Sequence, residues 1–155
     1  MMTGKTVSPE ATKRKVLIFG NYLEGLRSIE KRMISEDIKC WRLNGSPTQI
    51  NEIVKAFTNT EGPCVLLVQG VKYCAGLNLQ TCTDLVFYHE IKDKSVESQV
   101  CGRAYRIGRK NNLSVHYLLY NNELSNMVRS KQLTIIPSKS KNTTAPSNIV
   151  ETVVD

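Results

Sequence analysis

A three-layer α/β domain with a mainly parallel central sheet is the fold class this sequence predicts, on three observations. Short continuous apolar runs, which suit strands buried on both faces, alternate with segments of helical periodicity. That alternation implies parallel strand pairing through crossover connections. The 155 residues, 41% apolar and 23% charged, suffice for one hydrophobic core without disulfides or metal. Composition excludes a collagen-like, disordered or membrane-embedded chain, and no apolar run reaches the roughly 18 residues that span a bilayer. The folded domain is placed at 14–128. It follows a polar, aperiodic and flexible arm at 1–13 and precedes a tail at 129–155, rich in Ser, Thr, Asn and Lys and expected to be disordered.

Lys15-Val16-Leu17-Ile18-Phe19 is the first buried strand and stops at Gly20-Asn21. Leu23, Leu26, Ile29 and Met33 then recur at helical spacing up to about residue 37. A second strand over 39–43 ends at Asn44-Gly45. The next helix carries three start signals: Ser46 as the cap, Pro47 at the first helical position, and Gln49 to complete a capping box. Ile50, Ile53, Val54 and Phe57 give it one apolar face, and Glu61-Gly62-Pro63 ends it. Cys64-Val65-Leu66-Leu67-Val68 and Leu85-Val86-Phe87-Tyr88 are the third and fourth strands. A helix over 95–107, closed by Gly108, and a strand over 114–120 complete the domain. In such sheets the functional loops gather outside the carboxyl ends of the strands. Here those ends are Gly20-Asn21, Asn44-Gly45-Ser46, Gln69-Gly70 and His89-Glu90.

Lys plus Arg number 21 against 14 Asp plus Glu, a formal charge of +7. A surplus of that size points to an acidic partner such as nucleic acid or nucleotide. The segment richest in chemistry runs over 99–109. On a continuous helix Gln99, Arg103 and Arg106 stand at i, i+4 and i+7, so one polar stripe carries an amide and two guanidiniums. Two such forks one turn apart suit phosphate oxygens, because each binds bidentately and keeps its charge. The plainer reading is a solvated basic face. Gly102 in mid-helix argues against it, since glycine there costs about 1 kcal/mol relative to alanine. A second cluster, Ala75-Gly76-Leu77-Asn78-Leu79-Gln80, follows the third strand. Gly76 permits a positive φ or a close backbone approach, and Asn78 offers both donor and acceptor.

The five cysteines (Cys40, Cys64, Cys74, Cys82, Cys101) contain no C-x-x-C pair and read as reduced thiols in or near the core. That usage fits a reducing cytoplasmic or nuclear compartment, not secretion, and the first residues lack the apolar stretch of a secretory signal. His116 reads as a packed strand residue. His89 beside Glu90 reads as structural, since neighbours along a strand point opposite ways. Trp41 and Tyr22 can stack on bases, with packing as their plainer use.

The two clusters, in their order and spacing, resemble the second RecA-like lobe of superfamily-two helicases, above all the Swi/Snf-type DNA-dependent ATPases and related viral helicases. Lys15-Val16-Leu17-Ile18-Phe19 resembles the motif IV strand, and Arg42-Leu43-Asn44-Gly45-Ser46 the R-L-(D/N)-G-S turn after it. Gly76-Leu77-Asn78-Leu79 resembles motif V, and residues 99–109 resemble motif VI, Q-x-x-(G/D)-R-A-x-R-I-G-(Q/R). The likeness runs from about residue 14 to 123 and implies a RecA-like three-layer domain. It also implies roles. Arg103 and Arg106 match the arginine fingers that reach ATP across a cleft and stabilise charge on the transferred phosphoryl group. Gln99 matches the glutamine of that interface, while Gly76 and Asn78 match residues near the nucleotide. Gly20, Asn21, Asn44, Gly45 and Ser46 would lie toward a DNA or RNA backbone, in sequence-independent, salt-sensitive contacts. Three stretches depart from the family. Val71-Lys72-Tyr73-Cys74-Ala75 stands where A-G-G is common, Gln69-Gly70 where Ser-Thr is, and His89-Glu90-Ile91-Lys92-Asp93 where D-P-x-W-N-P is.

The resemblance further implies ATP with Mg²⁺, both held mainly by a first lobe that carries G-x-x-x-x-G-K-(S/T) and a D-E-x-H-like motif. Neither motif occurs in these 155 residues, and Gly4-Lys5-Thr6 imitates only the end of the first. The expected partners are a nucleic-acid backbone and a helicase N-terminal RecA-like lobe, in trans or in a longer parent chain, with no membrane. ATP hydrolysis is expected only with that lobe present. The alternative function is a catalytically silent nucleic-acid- or protein-binding module derived from such a lobe.

Overall fold

Side chains that alternate along parallel strands divide the interior into two layers. In the computed structural model, which describes residues 13–74, 76–105 and 113–118 and the backbone of 149–154, five strands pair in parallel. They are β1 (Lys15–Gly20), β2 (Lys39–Arg42), β3 (Cys64–Gln69), β4 (Asp84–Phe87) and β5 (Leu113–Leu118), in the spatial order β2-β3-β1-β4-β5. Leu17, Phe19, Leu66, Val68, Leu85 and Phe87 share one core cluster with two helices. There α2 (Pro47–Asn59) contributes Ile50, Ile53, Val54 and Phe57, and α3 (Lys94–Ala104) contributes Val96, Val100 and Ala104. Ile18, Val65 and Leu67 pack instead with Leu26, Ile29 and Met33 of α1 (Leu23–Ser35). Both faces of the central strands are covered, which is why β1 and β3 read as unbroken apolar runs.

The start of α2 follows its sequence signals. The Ser46 hydroxyl accepts a hydrogen bond from the Gln49 N–H at 3.4 Å, and Gln49 Oε1 accepts from the Ser46 N–H at 2.8 Å. Gly45 precedes this box at φ +92°, and a Cβ there would collide with the Gln49 carboxamide. The chain leaves β1 for α1 on one face and β4 for α3 on the other. Since β1 and β4 are neighbours, a crevice opens between their carboxyl ends, the usual ligand position in open α/β sheets.

Two expectations change. The helix placed at 95–107 is α3 and ends at Ala104, with Tyr105 already extended at φ −108° and ψ 115°. Tyr105 packs against the core, and Gly102 leaves the last helical turn weakly held, so drawing the ring inward ends the helix. The stripe of Gln99 and Arg103 therefore does not extend along one helix to Arg106. Arg106, Gly108 and the rest of 106–112 lie outside the described residues, as do 1–12 and 119–148. The second change is in the tail. Part of the segment expected to be disordered forms β6 (Ile149–Val154), antiparallel to β5 in the register Leu113↔Val154 to Leu118↔Ile149. Ile149, Val150, Thr152, Val153 and Val154 are all β-branched, a strand composition. The polar residues before them carry no such signal.

Candidate nucleotide and nucleic-acid sites

Parallel pairing gathers the turns after β1, β2, β3 and β4 on one edge of the sheet, and hydrogen bonds tie three of them together. The Gly70 N–H donates to the Gly20 carbonyl (3.2 Å), and the Tyr88 N–H to the Phe19 carbonyl (3.0 Å). Gln69 Nε2 donates to the Asn21 carbonyl at 3.4 Å, and the Asn21 N–H donates to His89 Nε2 at 2.8 Å. On this frame Asn21, Tyr22, Asn44, Gly45 and Ser46 are exposed. Gly20 is buried with its carbonyl committed to Gly70, so it shapes the turn and leaves outward contact to Asn21. Ser46 has its N–H and one oxygen lone pair engaged in the capping box, which leaves its hydroxyl hydrogen to donate outward. The crevice between β1 and β4 is a cleft of about 420 Å³ lined by Asn21, Tyr22, Val71, His89, Lys92 and Val96, among others.

The second cluster forms away from that edge. From its start beside β4, α3 carries the chain back along the sheet, and its 11 residues span about 16 Å. At its far end the Leu79 N–H donates to the Arg103 carbonyl at 3.1 Å. This bond joins the last turn of α3 to the loop after β3. The loop makes a 3₁₀ turn over Val71–Tyr73 and sinks Cys74, Leu77, Leu79 and Cys82 into the core as anchors. Gly76 stands between those anchors at φ +76°, where a Cβ would meet nothing within 4 Å. Asn78 is exposed, and its Oδ1 accepts from the Gln80 N–H at 3.2 Å. The structure thus brings Gly76, Asn78 and Arg103 into one region. Gln99, one turn earlier on α3, is exposed and donates to Ser95 Oγ at 3.2 Å.

Arg103 is half-buried, and among the described residues no carboxylate pairs with it. Its charge is felt at Cys74: burial pushes that thiol up to about 12, and Arg103 opposes the rise. A guanidinium, an amide and backbone beside a positive-φ glycine are donor types that suit phosphate oxygens. Among the described residues no three His, Cys, Asp or Glu side chains gather as a metal site. None of the five cysteines forms a disulfide, and Cys64, Cys74 and Cys82 are buried. No described helix is long and apolar enough to cross a membrane.

The histidines hold more than the sequence indicated. His116, expected to pack as an apolar-strand residue, places Nε2 at 3.0 Å from Asp84 Oδ1, while Thr83 donates to the other carboxylate oxygen at 2.6 Å. Burial alone would raise the Asp84 pKa. The bonds from His116 and Thr83, with the charge of Arg14, hold it below its ordinary 3.8. His89 is 7% exposed and bridges two strand-end turns, as expected of a structural residue.

Residues 5–108 match the family described as the helicase conserved C-terminal domain. The chain is 33% identical over 117 residues to the putative helicase R592 of Acanthamoeba polyphaga mimivirus, covering 76% of this chain and 14% of that protein. It is 34% identical over 125 residues to the TATA-binding protein-associated factor BTAF1 of Arabidopsis thaliana, covering 77% and 6% respectively. The SNF2 domain-containing protein CLASSY 3 of the same plant is 25% identical over 118 residues, covering 71% and 8%. These relatives are several times longer than the chain. Among solved structures, the C-terminal part of the Fun30 ATPase domain superposes with a TM-score of 0.63 at 18% identity, covering 75% of this chain and 38% of that one. That is a likeness of fold.

Proposed function

Because this chain belongs to the helicase conserved C-terminal domain family, we propose that it is the second lobe of an ATP-dependent nucleic-acid helicase or translocase. It closes on a P-loop first lobe provided by another chain or by a longer parent. ATP with Mg²⁺, held mainly by that first lobe, supplies the phosphoryl group whose transfer to water drives opening and closing. This chain's residues work around it. Arg103, and Arg106 beyond it, present guanidiniums to the phosphate oxygens and stabilise charge that develops there. Gln99 lines the same interface, and Gly76 and Asn78 bring backbone and amide close to the nucleotide. At the other end of α3, Asn21, Asn44, Gly45 and Ser46 meet the DNA or RNA backbone, with Gly20 fixing the turn that carries Asn21.

The observation that carries this reading is the Leu79–Arg103 backbone bond. It couples the motif V-like loop to the helix that bears Arg103, so two stretches 20 or more residues apart in sequence act as one phosphate-facing group. Mixing the chain with a P-loop first lobe tests it. The pair is expected to hydrolyse ATP with stimulation by nucleic acid, while the chain alone gives no Mg²⁺-dependent turnover. Arg103→Ala or Arg106→Ala should lower the rate by about 10³-fold or more, and Arg103→Lys should fail to restore it because a point charge cannot fork. Hydrolysis indifferent to these changes, with nucleic-acid affinity weakened, would instead establish the binding-module reading.

A further inference from the structure

We propose that His89 is a positioning residue for nucleic-acid engagement, a neutral imidazole latch that sets the Asn21–Tyr22 turn. The inference rests on the nucleic-acid role given above to the strand-end turns. The structure fixes the tautomer through two neighbours. Nε2 lies 2.8 Å from the Asn21 N–H, so it accepts and carries no hydrogen. Nδ1 lies 2.8 Å from the Glu90 carbonyl, so it must carry the ring hydrogen. One neutral form satisfies both bonds, and the imidazolium cannot, since it has no acceptor for Asn21.

The latch matters because nothing local replaces it. α1 begins after Tyr22, whose side chain makes no capping bond. The orientation of Asn21 therefore depends on the β3 turn, through Gln69, and on His89. The Tyr22 ring, 68% exposed, lies against the imidazole with centroids 5.0 Å apart, so the same residue sets a large aromatic exposed on this edge. The charged groups around the cleft are Glu90, Lys92 and Asp93, and the Tyr22 phenol is the titratable group against the ring; the turn after β3 and the first turn of α3 face the cleft with Val71 and Val96.

The test compares wild type, His89→Ala and His89→Gln for binding to a fluorescent oligonucleotide, with ¹⁵N spectra of the imidazole and the Asn21 amide. Gln can accept from Asn21 through Oε1. Wild type should show the Nδ1–H tautomer. His89→Ala should bind about tenfold more weakly, the size of one lost positioning bond, and should move the Asn21 amide signal. His89→Gln should keep wild-type affinity. Wild-type affinity in His89→Ala, or an Nε2–H tautomer, overturns the latch alone. A wild-type chain that binds no oligonucleotide overturns the nucleic-acid reading, and the latch's purpose with it.

Discussion

Gly45→Ala is a single-methyl perturbation whose cost can be worked from the structure. Gly45 sits at φ +92°, where an L-residue with a Cβ loses about 1–2 kcal/mol. The added Cβ would also collide with the Gln49 carboxamide, so that side chain must swing off the Ser46 N–H it now caps. Losing that exposed bond costs about 0.5–1 kcal/mol. The sum is about 1.5–3 kcal/mol. Gln49→Ala removes the bond alone and should cost about 1 kcal/mol or less. In the double variant the bond is lost once, not twice, so its cost should fall short of the sum of the singles by up to about 1 kcal/mol. Urea unfolding followed by circular dichroism reads this directly, because slopes of about 1–3 kcal/mol per molar give midpoint shifts near 1 M. Gly20→Ala is the comparison, since its Cβ would meet Leu26 at an ordinary 3.5 Å. If Gly45→Ala lies within about 0.5 kcal/mol of wild type, or the two changes prove strictly additive, the capping geometry described here is wrong.

Three further outcomes are expected. Asp84 is held below its ordinary 3.8 in the folded chain, so it contributes stability that is present above that value and is lost as pH falls through its folded value. Urea midpoints taken from about pH 6 to pH 3 should fall more steeply for wild type than for Asp84→Asn. Phe57, fully buried and edge-on to Trp41 with centroids 6.4 Å apart, should cost about 3–5 kcal/mol when cut to alanine, visible as a lower thermal midpoint. Nucleic-acid affinity should fall linearly on a log–log plot against salt, as counterion release requires; an affinity flat from low to high salt would argue against backbone contact.

Much of the fold was legible because the signals were redundant. The α2 start combined a cap, a proline and a box partner in four residues, and the structure places all three as read. Strands β1 and β3 announced burial on both faces by carrying no polar residue between their ends. The end of α3 lacked such redundancy. Tyr105 has ordinary helix propensity, and only its contact with a core assembled from distant strands pulls it out of the helix. β6 was hidden for a similar reason: its pairing partner lies more than 30 residues earlier in the sequence, and pairing, not propensity, decides a strand.

The site divides in the same way. The cluster around Arg103 was readable as residue types at fixed spacing, but its coupling to Asn78 was not, because a backbone bond from Leu79 leaves no mark on side-chain identity. His89 is structural, as its sequence context indicates, but strand alternation, which sends neighbours to opposite faces, does not reveal what it holds. β4, however, ends at Phe87, so His89 lies beyond the pleat and is free to turn back across the edge to Asn21. The place where a family sequence departs from its pattern, here His89-Glu90 in the position of Asp-Pro, then acquires a physical content. Proline has no N–H and a fixed φ, whereas this chain holds its turn through the bond from the Asn21 N–H to the His89 imidazole.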